Sequence, residues 1–246
     1  MFSYLKNHPF AVEAHFDTSL VLTFAVLKED IEHLIPECLE LDVFHEKWAF
    51  IAVAMVDTKK LRPKGFPKIL GNDFFLIGYR IFVRYKNNMG KNLRGLFIIK
   101  SETDKKKMEL LGNFFTHYNY STTDIQKSFN NNNTIIKSIK SNFKIELDTK
   151  NDQVDLPQNS PFTDWKEARK FAGPLPFTFT YDNNSKKVLI IEGVRQNWTP
   201  IPLKVIDYNF KFLDSLNIKS IILANAFIIN NIPYYWKKGK IENWKN

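Results

Sequence analysis

The feature that most constrains the fold is a pair of apolar runs, 74–86 and 93–102, separated by Asn87-Asn88-Met89-Gly90. Both runs are rich in β-branched and aromatic residues, and the polar tetrad between them is good turn chemistry. They predict the strongest hairpin of the chain. Two strands cannot stand alone, so the remaining sequence must supply sheet neighbours. Segment 19–26 reads as a buried strand. Segments 39–44 and 48–56 read as a hairpin around His45-Glu46-Lys47, and 177–181 with 187–193 as another around 182–185. Strand-like runs recur at 134–139, 143–147, 201–205 and 220–229.

The expected helices are short. Segment 28–35 places Ile31, Leu34 and Ile35 on one face before Pro36, and 105–111 follows Asp104 as N-cap and stops at Gly112. A third runs from a Thr163 cap to about Phe171, ended by Pro174 and Pro176, and a fourth spans 207–216. Segment 59–73, with Pro63, Gly65, Pro67 and Gly71, is expected as a basic irregular loop, and 113–120 as extended aromatic chain. About eleven strands without regular βαβ alternation predict a mainly β fold, an antiparallel curled sheet or barrel with a few short helices. Residues 1–246 are read as one domain, with an exposed hairpin at about 126–157 where polar residues dominate.

Composition supports a large core: 44% of residues are hydrophobic, with 22 Phe, 9 Tyr and 5 Trp. The net charge of +9 raises the prospect of acidic partners. That excess is scattered lysine, and Arg occurs only at 62, 80, 84, 94, 169 and 195, so nucleic acid is not the expected partner. Cys38 is the sole cysteine and can form no intrachain disulfide. The first fifteen residues lack a signal-peptide core, and no window approaches the ~20 apolar residues of a membrane span. A cytoplasmic location without membrane partners is therefore expected, and a homo-oligomer is compatible with the sequence. His8, His15, His33 and His45 show no metal-ligand spacing. No phosphate loop, nucleophile elbow or dinucleotide fingerprint is present, so no metal and no cofactor are expected.

The order of several short motifs carries a resemblance. A strand and a helix ending in Leu34-Ile-Pro36 precede Leu39-Glu-Leu-Asp42. Then come Gly78-Tyr-Arg-Ile-Phe-Val83, Leu93-Arg-Gly-Leu-Phe97 and Thr116-His-Tyr-Asn-Tyr120. Together, from about His15 to Trp236, these resemble domain-of-unknown-function family 2071, a group related in fold to acetoacetate decarboxylase. The resemblance implies a cone-shaped antiparallel barrel around an interior cavity. In the decarboxylase that cavity holds a lysine that forms a Schiff base with a β-keto acid, its amine made nucleophilic by desolvation and neighbouring cations. The decarboxylase carries Gly-x-Pro-Lys-Lys on a strand. The corresponding stretch here, Gly95-Leu-Phe-Ile-Ile-Lys100, has neither the proline nor the paired lysines.

Against this background a small set of residues stands out. Arg80 and Arg84 share one strand face, opposite Tyr79, Ile81 and Val83. They either face solvent or, on a barrel interior, clamp a carboxylate. Lys100 either snorkels into water or serves as a Schiff-base or anion-binding amine, and strand periodicity puts Arg94 on its face. His117 is either a hydrogen-bonded buried histidine or a general acid–base. Lys100 and His117 are thus the candidate catalytic residues, with Arg80, Arg94, Tyr118 and Trp198 as candidate substrate-binding residues. Within the resemblance, Trp198-Thr-Pro-Ile-Pro202 closes part of the cavity, and Asn225-Ala-Phe227 and Tyr234-Tyr-Trp236 are either core or pocket wall.

Two functional readings follow. One is a small-molecule protein binding or transforming a small organic (keto) acid, as a lyase or hydrolase on a carboxylate. The other is a non-enzymatic module for an apolar ligand or an acidic partner, supported by the missing Pro-Lys-Lys element.

Overall fold

The computed structural model describes residues 3–130, 133–148, 154–173 and 175–244. In chain order the strands are β1 (Val12–Leu27), β2 (Glu40–Leu41), β3 (Trp48–Pro63), β4 (Asn72–Lys86), β5 (Asn92–Thr103), β6 (Tyr120–Thr122), β7 (Gln126–Asn130) and β8 (Asn133–Ser138). They continue with β9 (Phe143–Asp148), β10 (Phe177–Asp182), β11 (Lys187–Arg195), β12 (Ile201–Pro202), β13 (Lys204–Phe210), β14 (Ile221–Trp236) and β15 (Lys240–Asn243). The helices are α1 (Lys28–Ile31), α2 (Lys106–Phe115), α3 (Trp165–Phe171) and α4 (Lys211–Asp214). No helix among the described residues is long and apolar enough to cross a membrane.

The hairpin β4–β5 forms as the sequence requires, with Asn87 Oδ1 accepting from the backbone N–H groups of Met89 and Lys91 in the turn. Sheet order runs β14-β1-β3-β4-β5-β10-β11, and β11 then pairs with β14, so these strands close into a ring. Closure removes the open edges that such long strands would otherwise expose. All junctions are antiparallel except β5–β10. There Gly95 is required, because a Cβ would lie 2.4 Å from the Phe177 carbonyl oxygen.

A second sheet, β13-β9-β8-β7, packs on the outside of the ring. Its Ile136, Phe143, Ile145, Leu147 and Phe210 join Leu22, Phe24, Met55, Ile77 and Tyr79 in the largest apolar cluster. Inside the ring, two further clusters occupy opposite ends. Ala25, Phe50, Phe82, Phe162 and Ala168 pack beneath α3, while Phe16, Val56, Phe227 and Ile232 pack at the other end. Strand β1 is covered on both faces, which explains why Leu22 to Val26 are all buried and read as a continuous apolar run rather than an alternation.

Several expectations need correction. Within segment 126–157 the expected hairpin forms, β8 pairing antiparallel with β9, but it is not exposed. Of its strands only β7 is exposed along its length, whereas alternate residues of β8 and β9 are core, and β13 completes the sheet. Residues 131–132 and 149–153 of that segment lie outside the described residues, as does Pro174, expected to end α3. Segments 39–44 and 48–56 share only the bridge Phe44–Trp48. β2 pairs instead with β4, where the Asp42 carboxylate meets Arg84 and Arg94. The expected loop 59–73 extends β3 to Pro63, with Arg62 2.6 Å from the Glu13 carboxylate on β1.

Asp104 accepts from the Phe75 N–H rather than capping α2. Gly112 lies inside that helix rather than ending it, and it is a glycine because the Tyr120 ring occupies the space a Cβ would need. The α3 cap is Asp164, which accepts from the Glu167 N–H, while the hydroxyl of Thr163 donates to the Glu167 carboxylate. Residues 207–210 continue β13 as strand because they pair with β9, which leaves only α4 of the helix expected at 207–216.

Candidate functional site

Between the two interior clusters lies a cavity of about 130 Å³, with wall residues from every strand of the ring. This is comparable to the ~150 Å³ of a protein cavity that admits benzene, so the space suits a small molecule. Its polar wall groups are Ser19, Arg80, Ser101, Tyr118, Tyr120, Thr178, Arg195, Trp198, Tyr234 and Trp236. Among the described wall residues there are two cations and no carboxylate.

Arg80 projects inward because β4 alternates. Leu76, Arg80 and Phe82 face the cavity, while Ile77, Tyr79 and Ile81 face the outer cluster. Its guanidinium has room because residue 78 is glycine; a Cβ there would lie 2.9 Å from Nε. That Nε is buried and has no hydrogen-bond partner among the described residues, and no carboxylate among them lies within ion-pair distance. Burial pulls the Arg80 pKa down, opposed by Tyr234, Tyr120 and Tyr118, with Arg195 lowering it further. A desolvated guanidinium ringed by phenols and another cation favours an anion at that place.

The tyrosines are held from outside. Tyr120 exchanges backbone hydrogen bonds with the Asn113 side chain at 2.8 and 2.9 Å, and its ring packs on Gly112. Asn119 takes a left-handed conformation, φ 52°, between Tyr118 and Tyr120, both of which line the cavity. Burial raises the pKa of Tyr118, and raises that of Tyr120 to about 12 against the pull of Arg80, so both phenols stay protonated donors. Tyr234 stacks on Phe16 at 4.8 Å and packs on Trp236 at 4.6 Å. The Arg195 guanidinium sits 4.4 Å over Trp198 and 5.4 Å over Tyr234, a cation–π arrangement that leaves its charge without a carboxylate among the described residues.

Of the residues singled out from sequence, Arg80, Tyr118 and Trp198 line this cavity. Lys100 does not. β4 pairs Tyr79 with Lys100 but Arg80 with Ile98, so Ile99 is the extra residue of a β-bulge. The bulge inverts the alternation: Leu96, Ile98 and Ser101 face inward, and Lys100 faces out. There its ammonium lies 2.9 Å from the buried Glu102 carboxylate and 4.7 Å over the Phe212 ring. Arg94 precedes the bulge and therefore does not share the face of Lys100. Its guanidinium pairs with Asp42 at 2.6 Å, donates to the Phe171 carbonyl and stacks on the Phe171 ring, so it stays clear of the cavity wall. His117 is also outside, with Nε2 3.4 Å from Asn7 Oδ1 and its pKa lowered by burial and by Lys6.

Arg195 was not singled out from sequence. Its one signal is local: Gly193 precedes it on the same strand face, and a Cβ at 193 would lie 1.8 Å from the Tyr234 hydroxyl. Gly193→Ala is accordingly expected to cost about 1–3 kcal/mol by overpacking. Thermal unfolding in a Tyr234→Leu background checks this, since removing both the hydroxyl and the Cζ, which would lie 1.8 and 2.7 Å from the new Cβ, should recover most of the loss. An undiminished loss there would place the strain elsewhere.

Comparison with known proteins adds the following. The model of the DUF2071 family, described as an uncharacterized conserved protein, matches residues 13–227. That stretch includes Arg80, Tyr118, Tyr120, Arg195 and Trp198, while Tyr234 and Trp236 follow it. Comparison with curated proteins finds no match. Among solved structures, an acetoacetate decarboxylase from Legionella pneumophila is similar with a TM-score of 0.59 at 11% identity, covering 94% of this chain and 86% of that one. An acetoacetate decarboxylase-like enzyme from Sphingomonas wittichii RW1 is similar at 0.55 and 8% identity, covering 97% and 94%. The enduracididine biosynthesis enzyme MppR, complexed with pyruvate, is similar at 0.54 and 8% identity, covering 95% and 90%. At such identities the likeness shows the fold, which is acetoacetate decarboxylase-like.

Proposed function

We propose that this chain, which belongs to the DUF2071 family, binds a small organic acid inside its ring of strands, with Arg80 and Arg195 receiving the carboxylate. The observation that carries the reading is the charge of the cavity: two guanidiniums, phenolic and hydroxyl donors, and no carboxylate among the described wall residues. An anion with a small carbon skeleton satisfies both the donors and the apolar remainder of the wall, Val21, Ala52, Ala54, Phe82 and Leu96. The pyruvate seen with MppR, a protein of the same fold, supports a keto acid as one such ligand.

Binding in this reading is non-covalent. The described wall residues include no lysine, so they offer no amine for a Schiff base, and the protonated phenols of Tyr118 and Tyr120 can donate hydrogen bonds to a bound acid. Calorimetric titration with pyruvate and acetoacetate tests the reading, together with borohydride trapping. Saturable binding is expected, weakened at least tenfold by Arg195→Met, with no adduct at any lysine. Absence of binding by these and related short acids would remove the proposal, and a trapped adduct at Lys100 would replace it with covalent chemistry on the outer face.

A further inference from the structure

A second chamber of about 250 Å³ adjoins the cavity, and Ala172, Gly173, Trp198 and Phe227 border both spaces. The rest of its wall is mainly apolar: Trp165 and Ala168 from α3, with Pro200 and Pro202 from the segment after Trp198. Asn225 is its exception. This residue is 1% exposed, it lines the second chamber and not the first, and its Oδ1 has no hydrogen-bond partner among the described residues. A buried amide oxygen without a donor costs about 1–3 kcal/mol, so a donor supplied by a ligand would be bound with corresponding preference. Lys166 and Arg169 stand exposed at the border of this chamber and form no ion pair among the described residues, which gives it a positive rim.

We propose that the two chambers hold one ligand, a carboxylic acid with an apolar chain that ends in a hydroxyl or N–H group. The proposal rests on the carboxylate reading above. The acid end belongs with Arg80 and Arg195, because half-buried guanidiniums inside the ring, one of them with a buried Nε, attract an anion more strongly than the exposed, water-screened Lys166 and Arg169 at the rim. The chain passes beside Gly173 and against the Trp198 ring, both of which border the two spaces. Its terminal donor meets the Asn225 amide. The Lys166 and Arg169 charges draw the acid to the entrance without holding it there.

Calorimetric titration of the full chain with propanoate, hexanoate and 6-hydroxyhexanoate separates the two ideas. Each methylene buried in the second chamber raises affinity up to about fourfold, so hexanoate is expected to bind at least tenfold more tightly than propanoate. The terminal hydroxyl is expected to add about fivefold, and Asn225→Leu to remove that increment while leaving propanoate affinity unchanged, which also reports that the variant is folded. Hexanoate binding no more tightly than propanoate would overturn the two-chamber proposal and leave the carboxylate site standing. A hydroxyl increment that survives Asn225→Leu would overturn the assignment of Asn225. Failure of all three acids to bind would overturn the carboxylate reading itself.

Discussion

Arg80→Met is expected to abolish acid binding and, at the same time, to raise the melting temperature of the unliganded protein. The two effects share one cause. Arg80 is half-buried in the ring, its buried Nε has no acceptor among the described residues, and no carboxylate among them stands beside it. Burial lowers its pKa, which is the mark of a charge held at an energetic disadvantage. Methionine keeps most of the aliphatic length and removes the charge. Replacing a buried, poorly compensated ion by an apolar side chain of similar volume stabilises by roughly 1–3 kcal/mol, or about 3–8 °C in a chain of this size. An acid ligand should reverse the ranking: saturating pyruvate stabilises the wild type by mass action and does nothing for the variant. Affinity should fall at least a hundredfold, and Arg80→Lys should recover little of it, because an ammonium lacks the planar fork. A variant that is less stable than wild type, or one that keeps its affinity, would show that Arg80 is an ordinary structural residue.

The residues that made the fold legible are those whose local pattern coincides with their final environment. The 74–86 and 93–102 runs carry their own turn, and β10–β11 likewise formed where the sequence placed it. Where long-range pairing decides, local pattern misleads. The stretch 207–210 has a helical look, but it finds a partner in β9 and becomes strand. Residues 39–42 lie next to a plausible hairpin partner in β3, yet β2 pairs with β4 and Asp42 is drawn to arginines on β4 and β5, the next strands of the sheet.

The site divides in the same way. Arg80 could be placed on a strand face by the period of two, and its strand keeps that period from Leu76 to Arg84. The same reasoning failed for Lys100, because a single inserted residue, Ile99, inverts every side chain beyond it. Nothing in the sequence of β5 marks that bulge. Arg195 and Tyr234 stand far apart in sequence and meet only when β11 pairs with β14 and closes the ring. Glycine was the one legible trace of that meeting, since Gly78 and Gly193 each vacate the volume that a cavity side chain fills.

Asp42→Ala is expected to produce a large loss of stability for a change that removes no apolar core side chain. Asp42 has a fully buried side chain, and its two carboxylate oxygens serve different arginines: Oδ1 accepts from Arg84 Nε and Oδ2 from Arg94 Nε at 2.7 Å, with Arg94 Nη2 at 2.6 Å from the same oxygen. Arg84 and Arg94 are cross-strand partners on β4 and β5, so without Asp42 two like charges face each other across the hairpin that carries Arg80. The backbone N–H of Asp42 also fastens β2 to the Phe82 carbonyl, a bond that alanine retains. Removing one partner from a fully buried ion pair costs about 3–5 kcal/mol. Both arginines here are more than a third exposed, at 39% and 35%, and can regain water, so a loss of about 2–4 kcal/mol is expected. Thermal unfolding should register this as a fall of roughly 5–12 °C.

Arg94→Met should lose less, about 1 kcal/mol, because Asp42 keeps Arg84. The decisive comparison is with binding. At a temperature where both variants remain folded, each should retain wild-type affinity for pyruvate, since neither residue lines the cavity. Loss of affinity in Arg94→Met without loss of stability would return Arg94 to the carboxylate site, where strand periodicity alone would have put it. Retained affinity with lowered stability would fix its role as the pin between the hairpin and Asp42.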